Sequence, residues 1–394
     1  MKIAARLDSI TPSATMVMKI KADELSKQGK DVLSFAVGEP DFATPENICE
    51  AARQAMADGA TKYTAASGTP ELKEAVVAAI KRDLGVSYEP GQVLVSNGAK
   101  HSLMNVFQTL VEPGDEVIIL TPYWVTYPDQ IRLCGGEPRE VVTHWEQDFQ
   151  PDLARVRAEV TDRTVAILLN TPCNPTGAVY SREVIEGIAE LAIERDLVIV
   201  SDEIYKHIIF DGAEHISPVT LGDEVKERTL LADGVAKSYS MTGWRIGWLV
   251  GDAEFVSAAG RLQSQATSCP NSIAQQAALE ALNGPQESVE QMRRQFEARR
   301  DLVMERLDDI PGVRCSRPVG AFYAFPDVTE HYGRTLGGAK VEDSTAMCEY
   351  LLTEGLISLV PGAAFGADEY VRLSFACSTE EIEEGLARMK RALG

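Results

Sequence analysis

Short runs rich in Val, Ile and Leu recur through the middle of this chain, at 93–95, 117–120, 165–169, 197–200, 229–232 and 248–250. Stretches with helical character separate several of them, such as 183–195, which follows a turn and opens with acidic residues. Continuous apolar strands spaced by helices predict an α/β fold with a mostly parallel sheet covered on both faces. In such sheets ligands bind beyond the carboxyl ends of the strands, so the residues that follow each run carry the most information.

Those residues are polar, aromatic or glycine. They read Ser96-Asn97-Gly98-Ala99-Lys100, Thr121-Pro122-Tyr123-Trp124, Asn170 onward to Gly177, Ser201-Asp202-Glu203-Ile204-Tyr205, and Asp233 onward to Lys237. From about residue 285 the pattern changes to a long charged helix, 286–307, and then to short strands near 321–325 and 370–375. The expected organisation is a large domain over 45–280. A smaller α+β domain is expected from 1–44 together with 281–394.

Composition removes several function classes. Lys plus Arg is 38 and Asp plus Glu is 59, a formal net charge of −21. That balance argues against a nucleic-acid or anionic-membrane partner, and an anionic substrate must be held by cations placed locally against the net field. The seven cysteines show no Cys-x-x-Cys pair and the five histidines no cluster, so reduced thiols and no metal site are expected. No apolar run approaches a membrane span of roughly 20 residues, and Asp8 and Pro12 interrupt any signal-peptide core. The expected compartment is the cytoplasm.

Lys237 follows an apolar run and stands eight residues before Arg245, with Thr242-Gly243-Trp244 between them. A lone loop lysine is ordinarily solvated, but a guanidinium at this spacing can fork onto a phosphate held near the amine. Asp202 suits a helix N-cap, and it equally suits an ion partner for a protonated ring nitrogen. Tyr205 lies one helical turn further on, where packing is the ordinary reading. Gly98-Ala99-Lys100 enters an apparent helix whose free N–H groups and dipole favour phosphate, although one glycine is weak as a motif. Neither a Walker pattern nor Gly-x-Gly-x-x-Gly is present, which disfavours nucleotide binding.

Asn174-Pro175-Thr176-Gly177, the block from Ser201 to Tyr205, and Lys237 with Met241-Thr242-Gly243-Trp244-Arg245-Ile246-Gly247 resemble the signature blocks of class I, fold-type I aminotransferases. So do Gly38-Glu39-Pro40-Asp41-Phe42, Pro122-Tyr123-Trp124, Gly320-Ala321-Phe322-Tyr323 and Val371-Arg372-Leu373-Ser374, in family order over nearly the whole chain. The resemblance implies a seven-stranded sheet in the large domain and pyridoxal 5′-phosphate as cofactor. It makes Lys237 the catalytic residue, which holds the cofactor covalently and moves the substrate's Cα proton. It implies that Asp202 pairs with the ring nitrogen, that Asn174 and Tyr205 hydrogen-bond the ring oxygen, and that Trp124 stacks on the ring. Gly98, Ala99, Lys100 and Arg245 hold the phosphate, and Tyr63 reaches the phosphate of a second subunit, so the active unit is a homodimer with shared sites. Arg372, with the backbone of Gly38, takes the substrate α-carboxylate. Gly234, three residues before the lysine, departs from relatives with a hydroxyl side chain there and puts one phosphate contact in doubt.

The substrate expectation follows the same resemblance. One aspartate aminotransferase subgroup uses a partner-chain arginine for the distal acid, and the matching stretch 263–271 has none. In the bacterial subgroup Ib a lysine at the position of Lys100 serves, with a threonine matching Thr15 on an N-terminal segment that closes over substrate. The other role open to Lys100 is one more counter-charge to the phosphate. Aspartate with 2-oxoglutarate is the leading exchange, and prephenate is a further acceptor. Ile10, Val17, Phe35, Phe322 and Tyr323 are expected near the mouth, where an aromatic-like substrate would sit. The alternatives are a carbon–sulfur lyase using the same lysine and aspartate, or an aminotransferase for alanine or aromatic amino acids. A non-catalytic regulator would need a DNA-binding module, which the acidic charge opposes.

Overall fold

The computed structural model describes residues 1–8 and 10–394. Seven strands form the central sheet: β1 (Val93–Ser96), β2 (Glu116–Thr121), β3 (Glu137–Val142), β4 (Thr164–Asn170), β5 (Val198–Asp202), β6 (Thr229–Gly234) and β7 (Gly247–Val250). Their order across the sheet is β1-β7-β6-β5-β4-β2-β3. Every pairing is parallel except the two made by β7, so the mostly parallel α/β sheet is present with one reversed strand.

Side chains alternate between two covered faces, which is why the strands read as unbroken apolar runs. Val93, Val95, Leu231, Trp248 and Val250 share one core cluster. Leu94, Val117, Ile119, Leu168, Val200 and Leu249 share another. Ile118, Leu120, Ile167, Leu169 and Ile199 join the largest. The apolar runs account for six strands; β3 has no such run. Its residues Glu137, Pro138, Arg139 and Glu140 are largely accessible, as befits a strand at the sheet edge.

Helix α1 (Ala14–Lys27) precedes the sheet, and α2 (Ala99–Leu110) leaves β1 through Gly98. Gly98 has φ 86, a conformation that a side chain would strain. Its missing Cβ also leaves room for the guanidinium of Arg245. Gly247 lets β7 approach the start of α2, since a Cβ there would overlap the backbone of Gly98 and Ala99.

Beyond the sheet, α3 (Glu287–Asp308) matches the expected charged helix. β8 (Tyr323–Ala324), β9 (Val360–Pro361) and β10 (Val371–Ser374) form an antiparallel sheet in the order β9-β10-β8. The N-terminal segment joins this part of the molecule. Leu33–Ser34 pairs in parallel with Ile357–Ser358, and the Ser374 N–H donates to the carbonyl of Phe35. Phe35 and Phe322 therefore belong to the buried core, at 2% and 0% exposure, and not to the mouth of a site as the sequence suggested. Both back onto the sheet that holds Arg372. Among the described residues no helix is long and apolar enough to cross a membrane, and no group of His, Cys, Asp and Glu could hold a metal ion.

Candidate active site

A cavity of about 350 Å³ opens at the carboxyl ends of the parallel strands. Gly38, Ala99, Lys100, Trp124, Asn174, Asp202, Tyr205, Lys237, Arg245, Arg372 and Thr15 all line it, so residues spread over most of the chain meet in one space. Gly98 stands behind it as the cap of α2, and Tyr63 does not line it. Tyr63 is 90% exposed on this chain. Of the expected mouth residues, Tyr323 lines the cavity, Ile10 lines a neighbouring pocket, and Val17 faces outward.

Lys237 sits just past β6 with its Nζ donating to the carbonyl of Gly38 at 2.6 Å. Burial, aided by the positive charge of Arg372, brings its amine down to about 8, so a neutral, nucleophilic amine is accessible near neutrality. Asp202 ends β5 and is 3% exposed. Burial raises its carboxyl to about 6, and the hydroxyl of Tyr127, donating to Oδ2 at 2.7 Å, works in the opposite direction. The Ile204 N–H donates to Oδ1 at 3.3 Å. No cation forms an ion pair with Asp202 among the described residues.

One end of the cavity is made by the start of α2. The N–H groups of Ala99 and Lys100 have no acceptor among the described residues, as expected of the first turn of a helix. Among the described residues Arg245 donates only to carbonyls, to Thr242 at 2.9 Å and to Asn97 at 3.2 Å. Lys100 lies 4.7 Å above the ring of Trp124, and burial, with Arg245 nearby, lowers its amine from the ordinary value. Trp124 in turn meets Tyr127 edge-on at 5.4 Å.

Arg372 enters from β10 and is 2% exposed. Its Nη1 donates to Asn174 Oδ1 at 3.0 Å and its Nη2 to the carbonyl of Ala36 at 2.5 Å. Its Nε has no partner among the described residues. The guanidinium carbon lies 4.6 Å from the Tyr323 ring centre and 5.0 Å from that of Phe365, contacts that help to hold the fork in one orientation. Tyr323 also shares a 2.8 Å hydrogen bond with the hydroxyl of Tyr205.

Lys100, Lys237, Arg245 and Arg372 thus face one cavity, and among the described residues none of them forms a salt bridge. Arg372 is buried, Lys237 half-buried, and Lys100 and Arg245 more open. Four cations around one cavity without such a partner suit anionic guests. The molecule so defined is an enzyme acting on small carboxylated compounds. More particularly, the chain belongs to the class I and II aminotransferase family, whose model matches residues 30–389. It is 45% identical to the aspartate aminotransferase of Bacillus sp. (strain YM-2), covering 99% of this chain and 98% of that protein. It is 44% identical to the aspartate/prephenate aminotransferase of Thermus thermophilus, covering 100% of this chain and 99% of that protein. Among solved structures, the Thermus thermophilus aspartate aminotransferase with maleate superimposes with a TM-score of 0.94 at 44% identity, covering all of both chains. The aspartate aminotransferase from Rhizobium meliloti does so with 0.96 at 40%, covering 100% of this chain and 99% of that one.

Several contributors were not singled out from the sequence. Tyr127 follows Trp124 by three residues, a spacing that places it on the same turn and so gave a usable signal. Gln263 and Gln275 had none. Both are fully buried and tie down the segment behind Tyr63, through Ala66, Thr64 and Thr69.

In ¹³C NMR titration of the cofactor-free protein, the Asp202 carboxyl should titrate near 6. Tyr127→Phe removes a donor that favours the charged form, so the midpoint should move higher. An ordinary carboxylate midpoint in both proteins would contradict this description.

Proposed function

We propose that this chain is a pyridoxal 5′-phosphate-dependent transaminase that passes the amino group of aspartate to 2-oxoglutarate by a ping-pong mechanism, with glutamate or aspartate to prephenate as a second exchange. The observation that carries the reading is the set of four cations lining one cavity without acid partners among the described residues. The cofactor's phosphate and two substrate carboxylates are the anions that such a set accommodates.

The residues present suit the cofactor. Ala99 and Lys100 N–H groups would take its phosphate together with Arg245, whose guanidinium lies in the room that Gly98 leaves. Asp202, buried and lacking a cation, would pair with its ring nitrogen, and Trp124 would cover its face. Asn174 and Tyr205 would hydrogen-bond its ring oxygen. Bound there, pyridoxal phosphate would supply an electron sink for the pair left at Cα when a proton departs.

The chain's own groups do the remainder. Arg372, already held as a fork, would receive the α-carboxylate beside the backbone of Gly38, fixing which substituent of Cα faces Lys237. Lys237 Nζ, brought down to about 8 by burial, would take the Cα proton and return it to the cofactor carbon across the nitrogen. Lys100 would meet the distal carboxylate, with Thr15 on the closing segment. The reading treats 45–280 as the cofactor-binding unit, and 1–44 with 281–394 as the smaller unit. It includes a homodimer in which the exposed Tyr63 reaches the phosphate held by the second copy, and a cytoplasmic location. The chain's charge of −21 fits neither nucleic acid nor membrane as a partner.

Borohydride reduction after adding pyridoxal phosphate should label Lys237 alone, and Lys237→Ala should fold yet take no label. The rate of capture should rise from pH 6 to 9 with a midpoint near 8, because only the neutral amine attacks. Label on another lysine in peptide mapping would overturn the assignment.

Lys100→Ala should raise KM for aspartate by on the order of ten- to a hundredfold and leave alanine much less affected, as expected for one lost charge-assisted contact. Equal losses for both donors in steady-state kinetics would move Lys100 to the phosphate.

A further inference from the structure

Behind the active site lies a buried ion pair. Lys206 is 8% exposed and Asp233 3%. Lys206 Nζ meets Asp233 Oδ2 at 2.9 Å and Asp83 Oδ2, from the helix Pro70–Leu84, at 3.5 Å. His207 Nε2 approaches the same Asp83 oxygen at 3.3 Å. Neither Lys206 nor Asp233 lines the cavity, yet each shares a short segment with a residue that does. Lys206 follows Tyr205, and Asp233 stands four residues before Lys237.

The two segments leave the sheet side by side. Asp202 and Ala232 are opposite each other in β5 and β6, and the Glu203 N–H donates to the carbonyl of Ala232 at 2.9 Å. Beyond that bond the Lys206–Asp233 pair spans the two chains. Asp233 Oδ1 also accepts from the Gly234 N–H at 2.7 Å, so one carboxylate holds both the lysine and the main chain leading to Lys237. Gly234 has close neighbours on another side, since a Cβ there would lie 2.8 Å from the backbone of Ile246 and of Gly247. The Lys206 N–H donates to the carbonyl of Glu203 at 2.9 Å, which keeps Tyr205 and Lys206 in one tight turn. A buried ion pair contributes little net stability over well-packed apolar side chains, whereas it does constrain the groups that carry it to one arrangement.

We propose that Lys206 and Asp233 are positioning residues for Lys237, their pair setting from behind the separation between the segment that carries Lys237 and the turn that carries Tyr205. The inference rests on the role given to Lys237 above and adds what aims its amine. The quantity held is the 5.9 Å between Lys237 Nζ and the centre of the Tyr205 ring. A misplacement of about 1 Å at a reacting group costs on the order of a hundredfold in rate, so such a link acts on turnover more than on binding. Arg372 on β10 and Lys100 on α2, which would meet the substrate carboxylates, stand on other elements.

The test uses Asp233→Asn, which keeps an oxygen for the Gly234 N–H and leaves Lys206 to Asp83, with Lys206→Met and the double variant. Circular dichroism melting fixes a temperature at which each is folded; if Lys206→Met does not fold, Asp233→Asn decides alone. Cofactor-free protein is labelled at pH 9, above the value of about 8 for the Lys237 amine. Borohydride-trapped capture of pyridoxal phosphate by Lys237 should be about tenfold slower in each single variant, with affinity for pyridoxine 5′-phosphate, which lacks the aldehyde, within about twofold. In the loaded enzyme kcat for aspartate–2-oxoglutarate exchange should fall about ten- to a hundredfold, with KM for aspartate within about threefold. The double variant should be no slower than the slower single one, because the pair acts as one link. Lower melting temperatures with capture and kcat unchanged, a loss confined to KM, or losses that multiply in the double variant overturn the proposal while Lys237 keeps its role. Label on a lysine other than Lys237 in the unsubstituted protein overturns both.

Discussion

The site depends on keeping four basic groups around one cavity without a salt-bridge partner among the described residues. In a chain of net charge −21 carboxylates are plentiful, yet the acid nearest the chemistry, Asp202, is bound by a tyrosine hydroxyl and a backbone N–H. Burying a charge costs several kcal/mol unless something replaces its water. Here neutral groups do so: Ala36 and Asn174 for the buried Arg372 and Gly38 for the half-buried Lys237, while the more open Arg245 is oriented by the carbonyls of Asn97 and Thr242. Such bonds are strong enough to orient a cation and weak enough to yield to a guest anion. A carboxylate in any of these positions would hold its cation more firmly and leave less for a ligand.

The same arrangement sets the protonation states. Burial beside Arg372 draws the Lys237 amine down to about 8, while burial lifts Asp202 to about 6. A base and an acid with ordinary values far apart are thereby brought toward the pH at which proton transfer is useful. The backbone supplies the geometry: β5 and β6 are neighbours in parallel, with Asp202 opposite Ala232, so the acid and the lysine leave the sheet at the same edge. β10 then introduces Arg372 from outside that sheet, and the segment before α1 closes another wall.

Much of this was legible in the chain. A parallel sheet buried on both faces must show apolar runs, and ligand-binding residues must follow them, which is why Asp202, Lys237 and the start of α2 were recognisable. What was hidden depends on partners distant in sequence. β3 at the sheet edge has only one covered face and no run to betray it. Phe35 and Phe322 looked like mouth residues because they neighbour Gly38 and Tyr323, but alternation along an extended chain turns them into the core. The buried pair Lys206–Asp233, at 2.9 Å, and the glutamines behind Tyr63 give no local pattern, since each is satisfied by a contact made only after folding.

The central claim is that these cations hold a cofactor through which Lys237 moves a proton, with the amino group parked on the enzyme between half-reactions. Its most direct test is one absorbance measurement on enzyme loaded with pyridoxal phosphate and given aspartate alone. The yellow colour should fade once, with one equivalent of oxaloacetate formed per site, and return only when 2-oxoglutarate is added. Colour that persists, or that recovers without an acceptor while ammonia accumulates, would contradict transamination.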